Sequence, residues 1–79
     1  MKLDEIGTFI KNEILRKPDI EIGPDQDLLL SDTLDSLDVV RLVSHLESET
    51  GLKIPAGDVT LENFATLRQI EAYLARRGE

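Results

Sequence analysis

The sequence predicts an all-α fold: a four-helix bundle with a long loop after the first helix and a short third helix. Three observations carry this. Apolar residues recur at three- and four-residue spacing in stretches 3–14, 39–46 and 67–74. Residues that start and stop helices bracket those stretches. No alternating run of useful length occurs, since Ile20-Glu21-Ile22 is too short for a strand.

The first helix rests on Leu3, Ile6, Ile10 and Ile14, with Phe9 beside them. Asp4 and Glu5 lie in its first turn, where the helix dipole favours anions. Arg16 and Lys17 suit its end, and Pro18 stops it. Residues 18–34 show no clean period and hold Pro18, Gly23, Pro24 and several Asp. That reads as an ordered loop, of a length that is often functional. Ile20, Ile22, Leu28, Leu29 and Leu30 are expected to pin it to the core.

The second helix starts at Asp35 or Ser36. Asp35 is a good N-cap, and Asp38 three residues later resembles a capping box. Val39, Leu42, Val43 and Leu46 form its buried stripe, and Gly51 is its stop. Leu52 and Ile54 lead to Pro55, and Ala56-Gly57 is a connector. Residues 59–64 hold at most a short third helix, capped by Asp58 or Thr60. Thr66-Leu67-Arg68-Gln69 is another capping box. It opens a last helix with Leu67, Ile70 and Leu74 inward, closed by Arg76, Arg77 and Gly78.

The chain has 79 residues, which predicts a single domain over residues 1–79. A chain this small buries only about 60% of its unfolded surface, so a walled-off active site is hard to build. Aromatics are 4% and there is no Trp, so the core must be mostly Leu, Ile and Val. There is no Cys. Disulfides and Cys-based metal sites are excluded, and any thiol chemistry requires an added cofactor. No run reaches the ~20 apolar residues of a membrane span. The opening Met1-Lys2-Leu3-Asp4-Glu5 lacks the apolar run of a secretory signal, so the expected location is cytoplasmic.

The net charge of -7 disfavours nucleic acid as a partner. Its distribution is uneven. Residues 19–38 hold seven acids and no Lys or Arg, leaving nine acids against nine bases elsewhere. Such a segment is either a solvated acidic loop or a steering surface for basic partners.

Ser36 lies near the end of that segment. It can be a plain helix-start serine, a nucleophile or a modification site. The nucleophile reading needs a base. The sole His, His45, is nine residues on in the same helix. At ~1.5 Å of rise per residue it lies ~13 Å along the axis, on the opposite side. The two cannot share a hydrogen bond, so the chain is not expected to be an enzyme. His45 itself is expected to be a solvated helix residue. No metal-ligand cluster occurs. A serine at a helix N-terminus does favour an attached phosphate, because free N–H groups and the dipole stabilise the anion. That holds for a phosphoserine as much as for a phosphodiester arm.

The run Asp35-Ser36-Leu37-Asp38, then Val39-Val40-Arg41-Leu42-Val43 and Leu46-Glu47, resembles the signature of the acyl carrier and peptidyl carrier protein family. Gly51-Leu52-Lys53-Ile54-Pro55 resembles the family's turn after that helix. Asp58-Val59-Thr60-Leu61-Glu62-Asn63-Phe64 and Thr66-Leu67 resemble its short third helix and the start of its fourth. The likeness covers nearly the whole chain. It implies a four-helix bundle of acyl-carrier type, with Ser36 as the attachment site of a 4'-phosphopantetheine arm. A phosphopantetheinyl transferase would take the arm from coenzyme A, with Asp35 helping to orient the transferase's metal and the serine. The cargo would ride as a thioester of fatty-acid, polyketide or related biosynthesis. The alternatives are aminoacyl or peptidyl cargo, or an unmodified helical interaction module. Partners implied are that transferase, an acyl- or aminoacyl-loading ligase, and downstream synthase or transferase enzymes, with the carrier a monomer.

The resemblance also gives the second helix a docking role. Leu37, Val40, Arg41, Ser44, Glu47 and Ser48 fall outside its buried stripe, with Asp38 at its start. Leu37 and Val40 either pack under the loop or form a small apolar docking centre with a polar rim. Two departures narrow the expected cargo. Fatty-acid carriers keep Gly where Thr33 stands. The run is nearer to the Ser-Gly-x-Ile-Asp-Ser-Leu pattern of specialised stand-alone carriers, with Asp32 in the place of Gly. Arg41 stands where fatty-acid carriers keep an acid. A charge reversal there should alter partner choice, which points to a dedicated carrier of polyketide, unusual fatty acyl or aminoacyl cargo.

Overall fold

The computed structural model of the chain describes residues 1–78. Among them there are four helices and no strand: α1 (Leu3–Phe9), α2 (Ser36–Thr50), α3 (Leu61–Phe64) and α4 (Leu67–Arg76). A π-helical turn, Ile10–Ile14, continues α1, and a single 3-10 turn, Ala56–Asp58, precedes α3. No helix among the described residues is long and apolar enough to cross a membrane.

α1 packs on α4, and its π turn packs on α2. The meeting faces hold most of the predicted residues. Ile6, Ile10 and Ile14 from the first helix, Leu42 and Leu46 from α2, and Leu67, Ile70 and Leu74 from α4 are all buried. Burying each such side chain is worth about 1.5–3 kcal/mol. Gly7 faces α4 closely, since a Cβ there would stand 3.1 Å from Leu67 Cδ1. No polar or charged side chain is buried among the described residues.

The end of the first helix differs from a plain stop at Pro18. The Leu15 N–H donates to the Ile10 carbonyl at 2.8 Å, and the Lys17 N–H to the Lys11 carbonyl at 2.8 Å. Arg16 sits in the left-handed region, at φ 55°. This is a widened form of the left-handed helix stop that usually employs Gly. The α2 stop is the regular one. Gly51 is at φ 74° and its N–H donates to the Glu47 carbonyl at 2.9 Å.

The loop of residues 18–34 is tied to the α3–α4 corner. The Leu28 N–H donates to the Ala65 carbonyl at 2.7 Å, and the Arg68 N–H to the Pro24 carbonyl at 3.0 Å. Arg68 also forks onto Asp25, Nε to Oδ1 at 2.8 Å and Nη2 to Oδ2 at 3.3 Å. The hydrogen bond from Arg68 holds the Asp25 carboxyl below its ordinary pKa. Leu28 is buried, while Ile20, Ile22 and Leu29 are half-buried. Leu30 corrects the expectation: it is 72% exposed, and Leu34 is the second loop residue to enter the core, at 3%. The Asp27 carboxylate explains the choice. It accepts the Leu29 and Leu30 N–H groups through one oxygen, a turn that rolls Leu30 outward.

Tyr73 is also buried, against Phe64 with ring centroids 5.3 Å apart. Its hydroxyl donates to Asp58 Oδ2 at 2.7 Å. Asp58 is therefore not the cap of α3. Thr60 precedes that helix, without a side-chain bond to it.

Gly51→Ala tests the α2 stop. The added Cβ meets nothing within 4 Å, so only the left-handed backbone is penalised. Urea unfolding should show a loss of about 1 kcal/mol.

Candidate functional site

The candidate site is assembled where the acidic loop runs into α2. The Leu34 N–H donates to the Leu28 carbonyl at 2.9 Å, closing residues 28–34 into a compact turn. Within it the Ser31 hydroxyl donates to the Asp27 carbonyl, and the Ser31 and Thr33 hydroxyls lie 2.8 Å apart. Asp32 adopts φ 61°. That is the left-handed region, which Gly enters freely and Asp tolerates better than most residues. Here an acidic side chain occupies it.

The reciprocal cap predicted for α2 is present. The Asp38 N–H donates to Asp35 Oδ1 at 2.8 Å, and the Asp35 N–H to Asp38 Oδ2 at 3.3 Å. Ser36 is the first residue of the helix and is exposed. Among the described residues its hydroxyl has no hydrogen-bond partner, and neither do the N–H groups of Ser36 and Leu37. A free hydroxyl beside two free N–H donors at the positive end of a 15-residue helix suits a phosphodiester. The surface hollow at Ser36, about 480 Å³, is lined by Asp32 and Asp35 on one side and by Leu29, Leu34, Val39 and Val59 on the other.

His45 lies elsewhere. Its ring stacks on Phe9 of α1, with centroids 3.6 Å apart and planes 4° from parallel, and it is half-buried. The expectation of a solvated helix residue is corrected: its companion is an aromatic ring on the neighbouring helix. No cluster of three or more His, Cys, Asp or Glu among the described residues could hold a metal ion.

On the outer face of α2, Leu37 is 58% and Val40 62% exposed, so neither packs under the loop. Arg41 and Ser44 are exposed beside them. Asp38 and Glu47 are partly committed to the fold. Asp38 closes the cap, and Glu47 Oε2 accepts the Ile54 N–H at 2.8 Å.

The inner stripe of α2 serves two purposes, core and groove. Val39 and Val43 were expected in the core, yet both are half-buried. With Val40, Ser44 and Glu47 they form one wall of a cleft of about 350 Å³, and Ile54, Ala56 and Val59 form the other. Val39 and Val59 also line the hollow at Ser36, so the two spaces adjoin. The only hint in the sequence was the β-branched run Val39-Val40 and Val43 facing Ile54 and Val59.

The family model for the phosphopantetheine attachment site matches residues 10–74 of the chain. Comparison with curated proteins and with solved structures gives no match.

The two residues at the helix start should separate in stability measurements. Asp35→Ala removes a reciprocal cap and should cost about 1 kcal/mol in urea unfolding. Ser36→Ala removes an unbonded, exposed hydroxyl and should stay within about 0.5 kcal/mol of the parent.

Proposed function

The chain belongs to the phosphopantetheine attachment site family, and we propose that Ser36 is the residue on which it bears its arm. Members of this family carry a 4'-phosphopantetheine group and are carriers, not catalysts. They work by meeting synthase or transferase partners. The arm supplies the thiol that this Cys-free chain lacks, and with it a thioester link for cargo.

The observation that supports Ser36 is its unbonded hydroxyl at the open N-terminus of α2. Residues 1–79 then act as one carrier domain with divided roles. Ser36 presents its oxygen to a phosphopantetheinyl transferase, which draws on coenzyme A. The N–H groups of Ser36 and Leu37 stabilise the phosphodiester charge. Asp35 keeps one carboxylate oxygen on the Asp38 N–H, leaving the other to face the transferase's metal. The groove along Val39, Val43, Ile54 and Val59 shelters apolar cargo.

Docking falls to the outer face of α2. Leu37 and Val40 supply an apolar centre, and Arg41, Ser44, Asp38 and Glu47 a polar rim. The seven acids of residues 19–38 favour basic partners. Arg41 forms no ion pair among the described residues, so its charge is free to act on a partner. Together with Asp32 and Thr33 it favours a dedicated carrier over a housekeeping fatty-acid one, and we place that carrier in the cytoplasm as a monomer. Its cargo is polyketide, unusual fatty acyl or aminoacyl, loaded by a ligase and consumed by a synthase or transferase.

Incubation with coenzyme A, Mg²⁺ and a broad-specificity transferase should add one phosphopantetheine by intact mass. Ser36→Ala should abolish the gain and keep its helical circular dichroism. No gain, with a known carrier modified in parallel, would refute the assignment. Arg41→Glu should improve use of the loaded chain by fatty-acid synthase enzymes; identical kinetics would remove Arg41 from partner choice.

A further inference from the structure

The two walls of the groove are built differently. One is α2, a regular helix anchored by Leu42 and Leu46. The other is residues 52–60, whose only regular structure is the turn Ala56–Asp58. This second wall has Ile54 as its one buried side chain. Its position is set largely by polar ties on two sides.

On the α2 side, Glu47 accepts the Ile54 N–H at 2.8 Å. On the α4 side, Tyr73 donates to Asp58 Oδ2 at 2.7 Å, and Arg77 Nη2 to the Lys53 carbonyl at 2.7 Å. Asn63 Nδ2 donates to the Asp58 carbonyl at 3.0 Å, and Arg76 Nη2 holds Asn63 Oδ1 at 3.0 Å. The ties differ in strength. The Arg77 and Arg76 bonds are exposed, and water competes for them. Tyr73 is 3% exposed and packed on Phe64, so its hydroxyl is aimed by the core. Burial first, then the bond to Asp58, raises the phenol above its ordinary pKa, so it remains a donor at neutral pH. A neutral donor on a carboxylate is among the stronger kinds of hydrogen bond.

We infer that the Tyr73–Asp58 hydrogen bond is a latch that fixes the second wall of the groove and so determines how well an apolar acyl group is sheltered there. Tyr73 and Asp58 are positioning residues, acting through Val59 and Ala56, which do line the groove. With the latch intact the wall keeps one position and the apolar surface opposite Val39 and Val43 is preformed. With it broken, residues 56–60 gain freedom and cargo spends more time in water. The sheltering step rests on the carrier reading; the latch itself does not.

The test uses the parent chain, Tyr73→Phe, Asp58→Ala and Asp58→Asn. Tyr73→Phe keeps the ring in the core. Asp58→Ala leaves α4 intact if Tyr73→Phe fails to fold, and Asp58→Asn retains an acceptor for the hydroxyl. Amide hydrogen exchange on the unmodified chains gives the first readout. Residues 56–64 should exchange faster in Tyr73→Phe and Asp58→Ala, with α1 unchanged and Asp58→Asn close to the parent.

The second readout loads octanoyl- or acetyl-phosphopantetheine from the matching coenzyme A thioester and follows cleavage by hydroxylamine. Its nitrogen adds to the carbonyl, the C–S bond breaks, and the thiol leaves with a proton. Octanoyl cleavage should rise about tenfold in Tyr73→Phe, the lower end expected for a hydrogen bond to a charged group, while cleavage of the acetyl group, which is too short to be sheltered, stays the same. An octanoyl-to-acetyl ratio equal in all four chains overturns the inference, as does parent-like exchange at residues 56–64. A parent chain that accepts no arm defeats the carrier reading, and amide exchange then decides the latch alone.

Discussion

Leu34 and Asp35 together fix where α2 begins. Leu34 commits the end of the acidic loop to the core, and one residue later Asp35 exchanges hydrogen bonds with Asp38. The first anchor resists the outward pull of a segment with seven acids and no base. The second sets the helical register. Shift that register by one residue and Ser36 leaves the helix end, Leu42 and Leu46 leave the core, and Val39 leaves the groove. The position of Ser36, the packing of the π turn against α2, and the cleft all follow from one start point.

The distribution of charge and burial follows from the same arrangement. The like charges of the acidic loop repel, so its own turn at residues 28–34 is not enough to hold the whole segment. It is held instead by specific ties to the far end of the chain: Leu28 to Ala65, Pro24 to Arg68, and Asp25 to Arg68. Of the loop's carboxylates, Asp32 lies with Asp35 at the Ser36 hollow. A folded chain with no buried charge among its described residues thus keeps the net charge of residues 19–38 at its surface.

The sequence made local features legible and tertiary ones obscure. Both capping boxes and the Gly51 stop were readable, because each depends on residues within three or four positions. The all-α class and the cores of α1 and α4 were readable from apolar spacing. Within Leu28-Leu29-Leu30 the residues are identical, and only the turn at Asp27 decides which one is buried. Val39 and Val43 share the period of Leu42 and Leu46, but period does not reveal how closely the 52–60 segment approaches. His45 against Phe9 and Asp58 against Tyr73 join distant parts of the chain, so neither pairing had a local signal. For the site, Ser36 and Asp35 stood out in sequence, whereas the adjoining groove did not.

Tyr73 is the only Tyr in a chain with no Trp. Its emission is therefore the protein's whole intrinsic fluorescence in the tyrosine band. A phenol bonded to a carboxylate is quenched relative to one that is free or in water. The protein thus contains a built-in optical gauge at the edge of its groove. A change in that signal would report a change in the Tyr73–Asp58 contact directly, with no label attached.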